Sequence, residues 1–279
     1  MAAELETGRK VGAGTPSPTK FYRAVLQALT HANVPHLVGG AYALAHYTRA
    51  PYQTKDLDVF LRRGDLDMAF DALRVCGYRT EDIYPHFLGK VYDDPHFVDL
   101  IFGSGNGAVR VDDGWFEFAA PGEVFGLPVM FCPVEEILWS KAFIMERERF
   151  DGADVAHLLL ATGDRLDWNR LLDRFGDNWR VLLAHLVLFG YIYPGRQAII
   201  PAAILERLLA RVTSEPAVAA DQNLCRGGLL SRQQYLHDLG VTGMHDARLR
   251  PAGQMSRGEI DAWTDAGEGV EERRHQPPD

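Results

Sequence analysis

The fold of this chain is decided by two neighbouring stretches, VPHLVGGAYALAHY at residues 34–47 and TKDLDVFL at residues 54–61. The first predicts a short strand, a glycine turn and a helix. The second alternates polar and apolar residues, as a half-buried strand does. Because strand side chains alternate between two faces, Asp56 and Asp58 are predicted to project together from one face of this strand.

A third carboxylate belongs to the same pattern. Asp99 lies inside the apolar strand HFVDLIF at residues 96–102, between Val98 and Leu100. From a neighbouring strand it can point to the exposed face that carries the other two aspartates. Two unit charges about 4 Å apart repel by roughly 4 kcal/mol at an effective dielectric near 20. Protonation of one carboxylate or a cation between them relieves that repulsion.

Divalent cations give the carboxylate cluster a chemical purpose. Mg²⁺ takes oxygen ligands and keeps positions for water and substrate phosphates. Two such ions can clamp the attacking and leaving oxygens of an in-line phosphoryl displacement. The glycine pair Gly39 and Gly40 fits the same chemistry, since it lets the backbone approach a triphosphate and the next helix aims free N–H groups at the anion. These features together predict a phosphoryl-transfer site.

The ordered motif resembles a known superfamily. Gly39-Gly40-Ala41, then Arg49, then Thr54-x-Asp56-x-Asp58 resembles the motif of minimal nucleotidyltransferases in the DNA polymerase β-type superfamily. It is also similar to the abortive-infection and related toxin nucleotidyltransferases. The resemblance covers roughly residues 21–165 and implies a small mixed sheet with helices, followed by a helical domain.

The resemblance also implies roles for the aspartates. Asp56 and Asp58 would bind two Mg²⁺ ions, with Mn²⁺ as the alternative metal. Asp99 would be a further ligand and the base toward the acceptor hydroxyl. One departure is that many members have Gly-Ser where this chain has Gly39-Gly40. The serine hydroxyl contacts the phosphates there, so this chain would hold the triphosphate through backbone donors, as in the branch that adds tRNA tails.

A second block follows the strands. Glu135-Glu136-x-x-x-x-Lys141, with Arg147, Asp151 and Asp154 after it, is similar to a conserved block of the toxin-like branch. There a helix lysine reaches the nucleotide phosphates and an aspartate orients it. Apart from the resemblance, Lys141 fits equally well as a surface lysine with a salt-bridge partner. The predicted nucleotide-binding residues are Gly39, Gly40, Arg49, Thr54, Lys141 and Asp154.

The predicted fold class is α+β, a small mixed β-sheet with flanking helices (the nucleotidyltransferase fold) followed by a mostly helical C-terminal region. We expect a disordered N-terminus at 1–17, a nucleotidyltransferase core at 18–132, a helical domain at 133–213 and a C-terminal extension with a polar tail at 214–279. Within the helical domain, apolar spacing predicts one helix over residues 135–150.

Composition narrows the partners. The net charge of −9 disfavours tracking of bulk nucleic acid, although a local basic patch can still hold a tRNA end. No apolar run approaches the roughly 20 residues that span a bilayer, so we expect no membrane partner. Three widely separated cysteines indicate neither a zinc site nor a disulfide framework, and favour a cytoplasmic location.

The sequence thus predicts an Mg²⁺-dependent enzyme that moves a nucleoside monophosphate from a nucleoside triphosphate (NTP) to an unidentified hydroxyl or amine, with release of pyrophosphate. The acceptor stays open among a small molecule, a tRNA end and a protein. One alternative is a catalytically degenerate binding or antitoxin-like module with the same fold. A glycosyltransferase that uses Asp56-Leu57-Asp58 is disfavoured, because only about fifty residues precede the motif and such folds place a longer nucleotide-binding region there.

Overall fold

The computed structural model of the 279-residue chain describes residues 18–50, 54, 56–214 and 221–274, with the backbone alone for 266–274. The segment 1–17, predicted to be disordered, lies outside the described residues.

A mixed β-sheet forms the centre of the described chain. Its strands are β1 (Leu37–Val38), β2 (Leu57–Phe60), β3 (Arg79–Tyr84), β4 (Leu88–Asp93), β5 (His96–Ile101), β6 (Ala120–Val124) and β7 (Leu127–Phe131). Their order across the sheet is β3-β4-β5-β2-β1-β7-β6. The pairs β2–β5 and β1–β7 are parallel, and the other neighbours are antiparallel. The predicted small mixed sheet is therefore confirmed.

Helices flank the sheet and then dominate the chain. They are α1 (Pro18–His31), α2 (Gly40–Thr48), α3 (Leu66–Val75), α4 (Asp113–Glu117), α5 (Val134–Ala142), α6 (Gly152–Thr162), α7 (Trp168–Phe175), α8 (Trp179–Ile192), α9 (Ala202–Ser214), α10 (Leu236–Gly240) and α11 (Arg257–Arg274). A short parallel pair, β8 (Leu224–Cys225) and β9 (His245–Asp246), lies among the last of them. This order of elements confirms the predicted α+β class. No helix in the described part of the chain has the length and apolar character to cross a membrane.

One face of the central strands is buried in the hydrophobic core. On β2 and β5, the alternate residues Leu57, Val59, Val98 and Leu100 are fully buried. Helices α1 and α3 pack against each other, and α1 also packs against β5 while α3 packs against β3 and β4. Burial of one residue in two fixes the register, because a one-residue slip would move every apolar side chain to the opposite face. The polar residues between them are therefore held on the other face.

Buried ion pairs join α5 to α7. The carboxylate of Glu136 is fully buried and accepts hydrogen bonds from Arg170 and Arg174, while Glu135 pairs with Arg170. A buried charge costs several kcal/mol unless it is paired, so this network fixes the relative position of the two helices. Helix α5 also carries Lys141, and the network therefore helps to place that lysine.

The single helix predicted over residues 135–150 was wrong, because α5 ends at Ala142. Beyond it the chain turns back through a short antiparallel bridge between Met145 and Phe150. The turn brings the buried carboxylate of Asp151 between Lys141 and Arg149, which both donate to it. The prediction was too long because apolar residues continue at helical spacing beyond the helix end. The ionic contact among Lys141, Arg149 and Asp151 stabilises the turn that follows the helix.

Candidate active site

Asp58 and Asp99 lie side by side on the sheet. Strands β2 and β5 are parallel neighbours, and the register pairs Asp58 with Asp99 directly. Residues paired in this way project from the same face, and both side chains line one cavity. The prediction that these two carboxylates converge is therefore confirmed.

Asp56 lies in the bend that leads into β2, two residues before Asp58. The hydroxyl of Thr54 donates a hydrogen bond of 2.6 Å to Oδ1 of Asp56, and the Asp56 backbone N–H points back to the same hydroxyl at 3.4 Å. Thr54 thus holds the Asp56 carboxylate in one orientation. The sequence assigned Thr54 to the nucleotide, whereas its contacts in the structure are to this carboxylate.

The three carboxylates influence one another electrostatically. Burial, followed by the charges of Asp56 and Asp99, raises the pKa of Asp58 to about 7, against the opposing effect of Lys141 and Arg149. Among the described residues, no lysine, arginine or histidine forms an ion pair with Asp56 or Asp58. An additional cation beside these two carboxylates would therefore be strongly favoured.

Asp99 differs from the other two. The ammonium of Lys90, on the adjacent strand β4, donates to its Oδ1 at 2.6 Å. Burial raises the pKa of Asp99, and the contact with Lys90 opposes that rise. Within the part of the chain that the structure describes, no group of three or more His, Cys, Asp or Glu side chains is arranged to hold a metal ion.

The donor set that remains is Asp56 and Asp58, and it fits Mg²⁺ or Mn²⁺. Mg²⁺ is commonly bound through one or two carboxylates together with substrate phosphates and water. The expectation that Asp99 is a third metal ligand is not supported by this geometry, because Lys90 already occupies one of its oxygens.

The glycine pair forms the N-terminus of α2 next to Asp58. Gly40 has φ +53°, and a Cβ atom built on it would overlap Oδ2 of Asp58 and lie 2.7 Å from its Cγ. A Cβ on Gly39 would overlap the ring of Phe60. The positive φ favours glycine at position 40, and a side chain at either position would displace its neighbour. The start of α2 lies against Asp58. Its first turn has no acidic residue and its N-cap makes no side-chain hydrogen bond, so N–H groups of this turn can bind an anion.

Basic side chains also line the cavity. Lys141 donates to Oδ2 of Asp151 at 2.8 Å and to Oδ2 of Asp154 at 2.7 Å, as the predicted pairing of a lysine with an orienting aspartate requires. Arg149 donates to both oxygens of Asp151 at 2.8 Å. Lys141 and Arg149 line the same cavity as Asp58. The sequence prediction missed Arg149, because only the unexpected turn after α5 brings it to the cavity.

Arg49 is not brought to the cavity. It is exposed and caps the C-terminal end of α2 with φ +58°. Gly40 is the first residue of the same nine-residue helix. At about 1.5 Å per residue, roughly 13 Å separate the two ends. The assignment of Arg49 to nucleotide binding is therefore not supported by its position.

The cavity has a volume of about 460 Å³ and a second wall from the C-terminal segment. This wall includes Ser231, Arg232 and Trp263. Trp263 meets the ring of Phe87 edge-on, with ring centroids 5.0 Å apart. The guanidinium of Arg232 lies 4.9 Å from the centroid of the Trp263 ring. No function was predicted for residues 214–279. A capping box at Ser256-Arg257-Gly258-Glu259 precedes α11: the Ser256 N–H donates to Glu259, and the Glu259 N–H donates to the Ser256 hydroxyl.

Comparison with known proteins gave matches in solved structures alone. No protein-family model matches the chain, and no curated protein sequence matches it. The antibiotic-resistance factor ANT(2'')-Ia is 15% identical, with a TM-score of 0.42 over 60% of this chain and 95% of that one. The lincosamide antibiotic adenylyltransferase LnuA is 13% identical, with a TM-score of 0.38 over 53% of this chain and 99% of that one. The Megavirus polyadenylate synthase is 16% identical, with a TM-score of 0.34 over 62% of this chain and 33% of that one.

Proposed function

We propose that this protein is a divalent-metal-dependent nucleotidyltransferase that transfers a nucleoside monophosphate from an NTP to a hydroxyl or amine. One observation carries the proposal: Asp58 and Asp99 are in register on parallel strands, with Asp56 two residues away and the glycine start of α2 against Asp58. The arrangement supports the proposal, because carboxylates of the kind that bind a cation lie next to a helix start of the kind that binds a triphosphate.

The metal is assigned to Asp56 and Asp58, the two carboxylates with no cationic partner among the described residues. When bound, Mg²⁺ or Mn²⁺ would neutralise charge on the phosphate oxygens during transfer. Thr54 fixes the orientation of Asp56, so one ligand is held in place before the substrate arrives. Such preorganisation lowers the cost of assembling the site.

The triphosphate is assigned to the space between α2 and the basic side chains of the cavity. The start of α2 lies against Asp58, and Lys141 and Arg149 line the same cavity. Because Asp151 and Asp154 hold Lys141, its ammonium is fixed near the phosphates. This grip uses no serine hydroxyl, which is consistent with glycine at position 40.

Asp99 is assigned as the proton acceptor. In the reaction, the acceptor oxygen attacks the α-phosphorus and forms the new O–P bond, while its proton passes to the Asp99 carboxylate. The bond from the α-phosphorus to the bridging oxygen breaks, and pyrophosphate leaves with that electron pair. For an amine acceptor the nitrogen takes the same part. Burial raises the pKa of Asp99, which makes its carboxylate a better base than an exposed one.

The acceptor is assigned to the part of the cavity beneath the C-terminal segment. Trp263 and Arg232 close this side, and the volume of about 460 Å³ lies within the range of about 300–1,000 Å³ found for small-molecule pockets. The net charge of −9 disfavours a long nucleic acid. We therefore favour a small hydroxyl or amine compound over a tRNA end or a protein.

The test incubates the pure protein with each NTP labelled at the α-phosphate, Mg²⁺ and a cell extract separated into small-molecule, RNA and protein fractions. We expect label in a small-molecule product, and loss of that product in Asp58→Ala. The matched control is Asp71→Ala, which removes an exposed aspartate of α3. Label in RNA or protein would overturn the acceptor assignment, and label transfer by Asp58→Ala at the wild-type rate would overturn the enzyme assignment.

A further inference from the structure

Lys90 is a fixed cation inside the candidate site. It lies on β4, and the register with β5 pairs it directly with Asp99. Its ammonium donates to Oδ1 of Asp99 at 2.6 Å and lies 3.9 Å from the ring centroid of Phe97. The side chains of Lys90 and Asp99 are 21% and 17% exposed, so the pair is largely removed from water. Strand register and the aromatic ring therefore both hold this charge in place.

The contact divides the three carboxylates into two sets. Asp99 has a protein cation on one oxygen, whereas Asp56 and Asp58 have none among the described residues. A divalent ion that bridged all three would have to displace the Lys90 ammonium or bring two more positive charges next to it. At about 4 Å, like charges repel by several kcal/mol at the effective dielectric of a partly buried site. The geometry therefore opposes a metal ion at Asp99.

We propose that Lys90 takes the place of a second divalent ion, so that the protein works with one metal, held by Asp56 and Asp58. This inference rests on the proposed function and concerns the same site. Lys90 is a positioning residue in this account: it holds the Asp99 carboxylate toward the acceptor and supplies positive charge there. Unlike a bound metal ion, Lys90 is covalently part of the chain, so its positive charge does not depend on the metal concentration.

The inference predicts a metal count. Protein is mixed with Mn²⁺ and the α,β-methylene analogue of ATP, CTP, GTP or UTP, whichever is retained most strongly, and rapid ultrafiltration then gives the Mn²⁺ and analogue retained per chain. We expect one Mn²⁺ per retained analogue for the wild type and two for Lys90→Met, which removes the charge but keeps an apolar stem. Lys90→Arg should return the count to one. Lys20→Met, at an exposed position on α1, is the matched control and should also give one.

The outcomes separate this inference from the proposed function. Two Mn²⁺ in the wild type would overturn the role of Lys90 and leave the nucleotidyltransferase assignment intact. One Mn²⁺ in both the wild type and Lys90→Met would also overturn it, since removing the ammonium would then open no site. No Mn²⁺-dependent retention of any analogue would overturn the proposed function itself. Thermal unfolding of each variant shows whether Lys90→Met is folded, and Lys90→Gln provides a second neutral variant if it is not.

Discussion

Serine at position 40 provides a demanding test, because it is the residue that many nucleotidyltransferases carry there. A serine hydroxyl at this point would be expected to improve the hold on the triphosphate. In this protein the opposite should occur, since the new Cβ would overlap Oδ2 of Asp58 and lie 2.7 Å from its Cγ. The Asp58 carboxyl would have to rotate away, and the proposed metal site would lose one of its two carboxylates.

Gly40→Ser should have a small effect on stability and a large effect on activity. Gly40 has φ +53°, and a side chain in this left-handed region costs about 1–2 kcal/mol. The overlapping atoms belong to the end of a side chain that can move, so the fold should survive. Activity should fall by about 10²-fold or more, equivalent to at least about 3 kcal/mol of transition-state stabilisation.

The assay compares initial rates of nucleotidyl transfer and thermal unfolding for Gly40→Ser and a control, Gly64→Ser. A Cβ on Gly64 meets nothing within 4 Å, so the control should match the wild type in both measurements. Activity of Gly40→Ser equal to or above that of the wild type would refute the placement of Asp58 against the start of α2. An unfolded variant would contradict the estimate of strain.

Three further predictions address other parts of the account. Lys141→Met should lower kcat/KM for the NTP by about 10²-fold, because the ammonium is proposed to bind the phosphates, and an unchanged value in initial-rate measurements would contradict that role. The pKa of Asp58 is about 7, above the ordinary value of 3.8 that the unfolded chain would show, so the folded state binds this proton more tightly. The free energy of unfolding of the metal-free protein should therefore fall as the pH rises from about 4 to about 7, and denaturant titrations of Asp58→Asn should show a flatter dependence. Glu136→Ala should lower the free energy of unfolding by about 3–5 kcal/mol, since it leaves buried arginine charge unpaired, whereas Glu81→Ala at an exposed ion pair should change it by less than about 1 kcal/mol. Equal denaturation midpoints for these two variants would show that the buried network is unimportant.

Local sequence patterns predicted the elements that depend on local preference. The apolar stripe of α1 and the alternation of β2 reflect burial of one face, and a single window of sequence contains that information. The convergence of Asp58 and Asp99 could also be predicted from the sequence, because an aspartate inside an apolar strand must point away from the core. Strand β3 was not predicted, since its residues do not alternate between buried and exposed along the strand.

The contacts that define the chemistry of the site could not be predicted from the sequence, because they join segments that are distant or unexpectedly folded. Lys90 meets Asp99 only because β4 pairs with β5 in one register, and Arg149 meets Asp151 only because α5 ends early. Trp263 reaches the cavity from the last helix of the described chain. Such contacts between distant or unexpectedly folded segments are set by tertiary packing, which propensity and spacing do not encode.

The most direct test of the account is calorimetric titration of a non-hydrolysable NTP analogue into the protein with Mg²⁺ and with a chelator in its place. Asp56 and Asp58 are proposed to bind the triphosphate through a metal ion, so we predict binding with Mg²⁺, none with the chelator, and none in Asp58→Asn under either condition. Equal affinity with and without Mg²⁺, or wild-type affinity in Asp58→Asn, would contradict the account.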